Sequence, residues 1–160
     1  MNASKIFLSI FALIISMVNA VRISGFPGEP YGGCTNNNQL RIALPDRVKN
    51  KVSYVKVEKK LDLIKALAAH YNGRILYDAN AGNCFKEVEI RTSKGKTATA
   101  VIADICHGGC YDASKSVFVS LGGSPQLTGS VEGKITYREP NKSVLEGIFK
   151  KIGGDSIFNQ

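Results

Sequence analysis

Two aspartates, Asp104 and Asp112, stand on either side of the run Cys106-His107-Gly108-Gly109-Cys110. A carboxylate pair facing one groove is what glycoside cleavage uses, with one acid to protonate the leaving oxygen and one base to activate water. Each aspartate also has an ordinary structural alternative. Asp112 comes just before Ser114 at a predicted helix start, where an acid can accept backbone N–H groups, and Asp104 ends a predicted strand, where a turn can hold a partly buried carboxylate. Cys106 beside His107 suggests a thiolate activated by a base, and Cys106, His107 and Cys110 together suggest zinc. Neither is expected. Adjacent residues on a tight loop rarely turn toward each other, and Cys34 and Cys84 are too far apart to supply the second closely spaced ligand pair. His107, and His70 near a helix end, are expected at the surface; no metal or cofactor is called for.

Residues Met1–Ala20 read as a secretory signal peptide. Lys5 supplies a weakly positive start, Ile6–Met17 an apolar stretch too short for a membrane anchor, and Val18 and Ala20 the small residues of a cleavage site. Export places four cysteines, Cys34, Cys84, Cys106 and Cys110, in an oxidising compartment, where an even count predicts two disulfides among three possible pairings. Cleavage removes Lys5 and no acid, lowering the formal net charge from +8 to +7. That balance favours anionic partners in general, but the lysines are scattered, which argues against nucleic acid. A secreted, extracellular monomer with no membrane attachment after cleavage is expected. Asn141-Lys142-Ser143 is a glycosylation sequon.

The elements that must position the two aspartates follow from hydrophobic periodicity. Val21–Tyr31, broken by Gly25, Pro27, Gly28 and Pro30, predicts an extended arm or edge strand. Asn36-Asn37-Asn38 predicts a loop, and Gln39–Leu44 and Val52–Val57 predict strands around a Pro45-Asp46 turn. Leu61, Ile64, Leu67, Ala68 and Tyr71 share one face of a predicted helix that stops at Asn72-Gly73. Alternation predicts strands at Glu87–Thr92 and Lys96–Asp104. Ser114 opens a short helix whose Val117, Phe118 and Leu121 face inward, Ser130–Arg138 is a last strand, and Val144–Ile152 is a weaker, peripheral amphipathic helix. About six strands with short helices suit either a barrel or a sandwich.

The segment Thr97–Leu121, TATAVIADICHGGCYDASKSVFVSL, resembles the signature of the double-psi β-barrel family of rare lipoprotein A-like, expansin-like and barwin-like proteins: V-x-D-x-C, a short cysteine loop, then D-L-S opening a helix ending in F-x-x-L. Asp104, Cys106, Cys110, Asp112, Ser114, Phe118 and Leu121 occupy those places; the loop has one extra residue, and Ala113 replaces the leucine. Tyr31-Gly-Gly-Cys34, Asn83-Cys84 and Val131–Tyr137 resemble flanking family segments in the same order.

The resemblance implies a mainly β fold, a six-stranded double-psi β-barrel with short helices and an extra amphipathic helix in an insertion over residues 46–81. The barrel domain would span 21–140, followed by a C-terminal tail over 141–160 with a weak helix. It further implies the pairings Cys34–Cys84 and Cys106–Cys110, and a groove containing Asp112, similar in position to the acid of family 45 glycoside hydrolases and to an expansin groove aspartate, with Asp104 as a second. Those hydrolases carry their base in an N-terminal aromatic motif; Gly25–Tyr31 offers Glu29 but no matching aspartate, so binding or modification of cell-wall or extracellular polysaccharide is expected over hydrolysis. Tyr31 and Tyr111 are the candidate aromatic contacts to sugar. The alternative that the fold allows is a non-enzymatic inhibitor of a secreted protease, or an effector module, acting through loops.

Overall fold

The computed structural model describes residues 19–52, 55 and 57–153, so the predicted signal peptide falls almost wholly outside the described residues. Six strands close into a barrel: β1 (Val21–Phe26), β2 (Ile75–Asp78), β3 (Glu87–Thr92), β4 (Thr97–Ile105), β5 (Asp112–Ser114) and β6 (Ser130–Arg138), in the spatial order β1-β5-β2-β4-β3-β6. β1/β5 and β2/β4 pair in parallel, the remaining neighbours antiparallel. This closed, mixed barrel is consistent with the double-psi arrangement, and closure leaves no free sheet edge. Its centre is filled by alternate strand residues such as Ile23, Leu76, Ile90, Ile102 and Ala113, and by Phe118 from the short helix after β5.

Of the predicted strands, Gln39–Leu44 is a helix, and the described residues of Val52–Val57 form no strand. The pattern Leu40, Ile42, Leu44 suggested alternation, but the buried set is Leu40, Ala43 and Leu44, spaced three and four residues apart, while Ile42 is 75% exposed. That segment is helix α1 (Asn37–Ala43), and the supposed asparagine loop is its start: the Asn36 side chain accepts the Asn38 N–H at 2.8 Å. Helix α2 (Asp46–Lys49) follows where a turn was expected. Val57, expected to end a strand, opens helix α3 (Val57–His70); Ser53, Tyr54 and Lys56 lie outside the described residues.

The two strands that replace them, β2 and β5, left no periodic signal. All four residues of β2 are buried, so it shows no alternation of apolar and polar residues, and β5 has three residues. The expected face of α3 is largely kept: Ile64 and Leu67 are buried and Ala68 and Tyr71 pack against the core, while Lys60 and Leu63 are buried as well and Leu61 stands at the margin. Helix α4 (Lys115–Ser120) buries Val117 and Phe118, with Leu121 just beyond it. Ser114 occupies the N-cap position of α4, but its hydroxyl accepts the Ile75 N–H at 3.1 Å and so joins β5 to β2 instead of capping.

Helix α5 (Lys142–Gly153) is not peripheral. It packs on α3, buries Leu145 and Phe149, and holds buried Glu146 between Arg47 of α2 and Lys150. No helix among the described residues is long and apolar enough to cross a membrane.

Candidate functional site

The site is built where β4, β2 and β5 run side by side. Tyr77 of β2 lies in register with Asp104 of β4 on one side and with Asp112 of β5 on the other. The β2/β4 register shifts between Leu76, opposite Ile102, and Tyr77, opposite Asp104, so β4 carries one extra residue there. Such a bulge re-aims the side chains beyond it. Here it sets Asp104 in the row with Tyr77 and Asp112.

The two aspartates brought together by this row have unlike environments. Asp104 is buried, and its Oδ1 accepts the N–H of Gly33 at 2.7 Å and of Ile105 at 2.8 Å, while its Oδ2 accepts the N–H of Tyr31. It thereby fastens the arm after β1 to the barrel. Gly33 is required for the approach, since a Cβ there would collide with Asp104 Oδ1. Asp112 is half-buried, and among the described residues no N–H or O–H group reaches its carboxylate. Its Oδ2 lies 3.3 Å from Cys106 Sγ, which is half of a disulfide and has no proton to donate. Burial pushes the Asp112 carboxyl above the usual carboxylate range, because the charged form loses hydration that nothing replaces.

Both disulfides frame this region. Cys34–Cys84, with Cα atoms 5.6 Å apart, ties the arm to the turn before β3, and Cys106–Cys110, at 5.3 Å, closes the loop against Asp112. Cys106, Cys110 and Asp112 place their ligand atoms within 4.8 Å of one another, but with the sulfurs bonded to each other there is no thiolate to hold a metal.

Above the row lies an open groove of ≈ 400 Å³, lined among others by Tyr31, Phe26, Tyr77, His107 and Asp112. The aromatic rings meet edge to face, Tyr31 with Phe26 at 6.3 Å and Phe26 with Tyr77 at 4.9 Å between centroids. Tyr31 is 78% exposed at the rim. Tyr77 donates its hydroxyl to the Gly28 carbonyl at 3.1 Å, giving the arm a second attachment. Burial, and then the negative charge of Asp104, push the Tyr77 hydroxyl well above its ordinary range, so it stays a donor.

Tyr111 does not line this groove. It is half-buried against the core and hydrogen-bonds Tyr137, whose hydroxyl donates to Asp78 at 2.7 Å. His107 is exposed on the groove loop, and exposed His70 lies edge-on to Tyr71, ring centroids 5.1 Å apart. Asn141 is exposed, and its side chain accepts the Val144 N–H at 3.2 Å at the start of α5.

Sequence reasoning missed Tyr77 and Asp78. Asp78 is fully buried and also accepts the Asn80 N–H at 2.8 Å and Asn83 Nδ2 at 3.1 Å, which anchors the turn leading to Cys84. The Asp78-Ala-Asn80 spacing is a side-chain-to-backbone turn signal that could have marked it.

No protein-family model matches this chain, and no curated protein is significantly similar to it. Among solved structures it is similar to cerato-platanin 3 of M. perniciosa, with 15% identity, 79% of this chain and 98% of that one covered, and a TM-score of 0.45. It is also similar to a variant of Clavibacter michiganensis expansin in complex with cellohexaose, with 18% identity, 76% of this chain covered and a TM-score of 0.44, and to the apo form of that expansin, with 17% identity, 76% covered and a TM-score of 0.43. The match spans 51% of each expansin chain.

Proposed function

We propose that this is an exported binding protein for cell-wall or extracellular polysaccharide, and that the groove between the Tyr31 arm and Asp112 receives the sugar chain. The observation that carries this reading is the free Asp112 carboxyl, raised by burial, sharing an open groove with the rings of Tyr31, Phe26 and Tyr77. Sugar rings present C–H faces that pack on aromatic side chains and hydroxyl groups that need directional polar partners. Tyr31 and Phe26 supply the first, and Asp112 supplies the second as a hydrogen-bonding acid.

Binding without hydrolysis is the better reading. Cleavage would need a second carboxylate free to act on water, whereas Asp104 already accepts three backbone N–H groups that hold the arm in place. Export is supported by the Met1–Ala20 segment and by the two disulfides.

Sedimentation with insoluble cellulose, chitin and whole wall material tests the proposal. The parent protein is expected in the pellet with at least one of them and the Asp112→Asn protein in the supernatant. Equal retention of both proteins on every material tested would overturn the role given to Asp112.

A further inference from the structure

A second cleft of ≈ 390 Å³ opens beside the groove, and Tyr77 borders both. Its floor continues the strands that carry the groove. Tyr77 and Ile75 are two residues apart on β2, and Asp112 and Ser114 two residues apart on β5, so each pair lies on one face of its strand. Ile75 and Ser114 line the cleft as Tyr77 and Asp112 line the groove, and the Ile75 N–H to Ser114 Oγ bond joins them. Two residues of strand advance about 7 Å, so a short chain that fills the groove stops short of the cleft, and the next ring of a longer chain reaches it. The cleft is therefore the groove's next position along the barrel surface.

Its walls come from elsewhere in the chain. Ala68 and Lys65 of α3 form one side, and Gly28, Glu29 and Pro30 of the arm form the other. Lys65 and Glu29 are both exposed and make no salt bridge among the described residues. The cleft thus has a floor of Ile75, Tyr77 and Ser114, an ammonium donor from α3 and a carboxylate acceptor from the arm. Sugar hydroxyls donate and accept at once, so an uncharged ring is matched on both walls. A uronate would meet Glu29 as well as Lys65 and gain nothing from the pair.

We propose that this cleft is a second sugar subsite in line with the groove, with Lys65 and Glu29 gripping the ring, so that the ligand is a linear, uncharged glycan several rings long. The proposal rests on the groove being a polysaccharide site.

Calorimetric titration with soluble β-1,4-linked glucose and N-acetylglucosamine oligomers of two to six rings tests it, on the parent, on Lys65→Ala/Glu29→Ala, on Ala68→Trp, which fills the cleft, and on Asp112→Asn. For the parent, affinity is expected to rise about tenfold between the shortest and longest oligomers. The double variant and Ala68→Trp should lose that rise yet keep the parent's affinity for two rings, and Asp112→Asn should weaken every length. A parent that binds two rings as tightly as six, or cleft variants that keep the full rise, would overturn the second subsite while the groove reading stands. Tighter binding of oligogalacturonate than of neutral oligomers would overturn the uncharged class. No binding of any oligomer would remove the groove reading, and this inference with it.

Discussion

Tyr77 stands directly across the β2/β5 pair from Asp112, and its hydroxyl is bonded to Gly28 in the arm that carries Tyr31. One side chain thus links the position of the aromatic rim to the position of the acid. Tyr77→Phe keeps the ring and its packing on Phe26 but leaves the Gly28 carbonyl without its donor. It is expected to cost about 0.5–1.5 kcal/mol in urea denaturation, and to weaken polysaccharide retention as the rim loosens. Unchanged retention at reduced stability would show that the rim is held without Tyr77.

Asp112 has a pH signature whose sign follows from its shift. Its folded pKa is raised above the unfolded value, so between the two the native state binds more protons and stability falls as pH rises through that window. Asp112→Asn removes this loss. The thermal midpoint of the variant is expected to equal the parent's at low pH and to match or exceed it at neutral pH, while binding disappears. A variant markedly less stable at neutral pH would mean that the carboxylate supports the fold.

Asp104 is expected to behave in the opposite way. Asp104→Asn retains one carbonyl acceptor where three backbone N–H groups now converge on two carboxylate oxygens, and an unpaired buried donor costs roughly 1–3 kcal/mol. Urea midpoints should fall by a corresponding amount. Chymotrypsin should also cut the arm after Tyr31 faster than in the parent, since the arm is what Asp104 holds.

The two disulfides differ in reach, with separations of 50 residues for Cys34–Cys84 and 4 for Cys106–Cys110. Loop-closure entropy then predicts about 4 kcal/mol for the first and about 2 kcal/mol for the second. Paired Cys→Ser variants measured by urea denaturation should show the larger loss for Cys34/Cys84. Removal of Cys106–Cys110 should instead be felt mainly in binding, because that loop presses on Asp112.

What the sequence by itself determined is local. The β3/β4 alternation, the helix after Ser114, and the order Asp104, cysteine loop, Asp112 were all legible because each depends on residues a few positions apart. Tertiary structure decided the rest. Asp104 and Asp112 look equivalent as a pair around a loop, yet two of the three N–H groups that occupy Asp104 come from Tyr31 and Gly33, 73 and 71 residues away. Tyr31 and Tyr111 both neighbour cysteines, and only the closure of the barrel sends one to the groove and the other to Tyr137 and Asp78. Tyr77 was hidden because β2 is buried on both faces, which erases the alternation that would reveal a strand. For residues 39–44 the same few side chains satisfied a period of two and a helical spacing, and the choice was made by packing: the surface that buries Leu40, Ala43 and Leu44 leaves Ile42 in solvent.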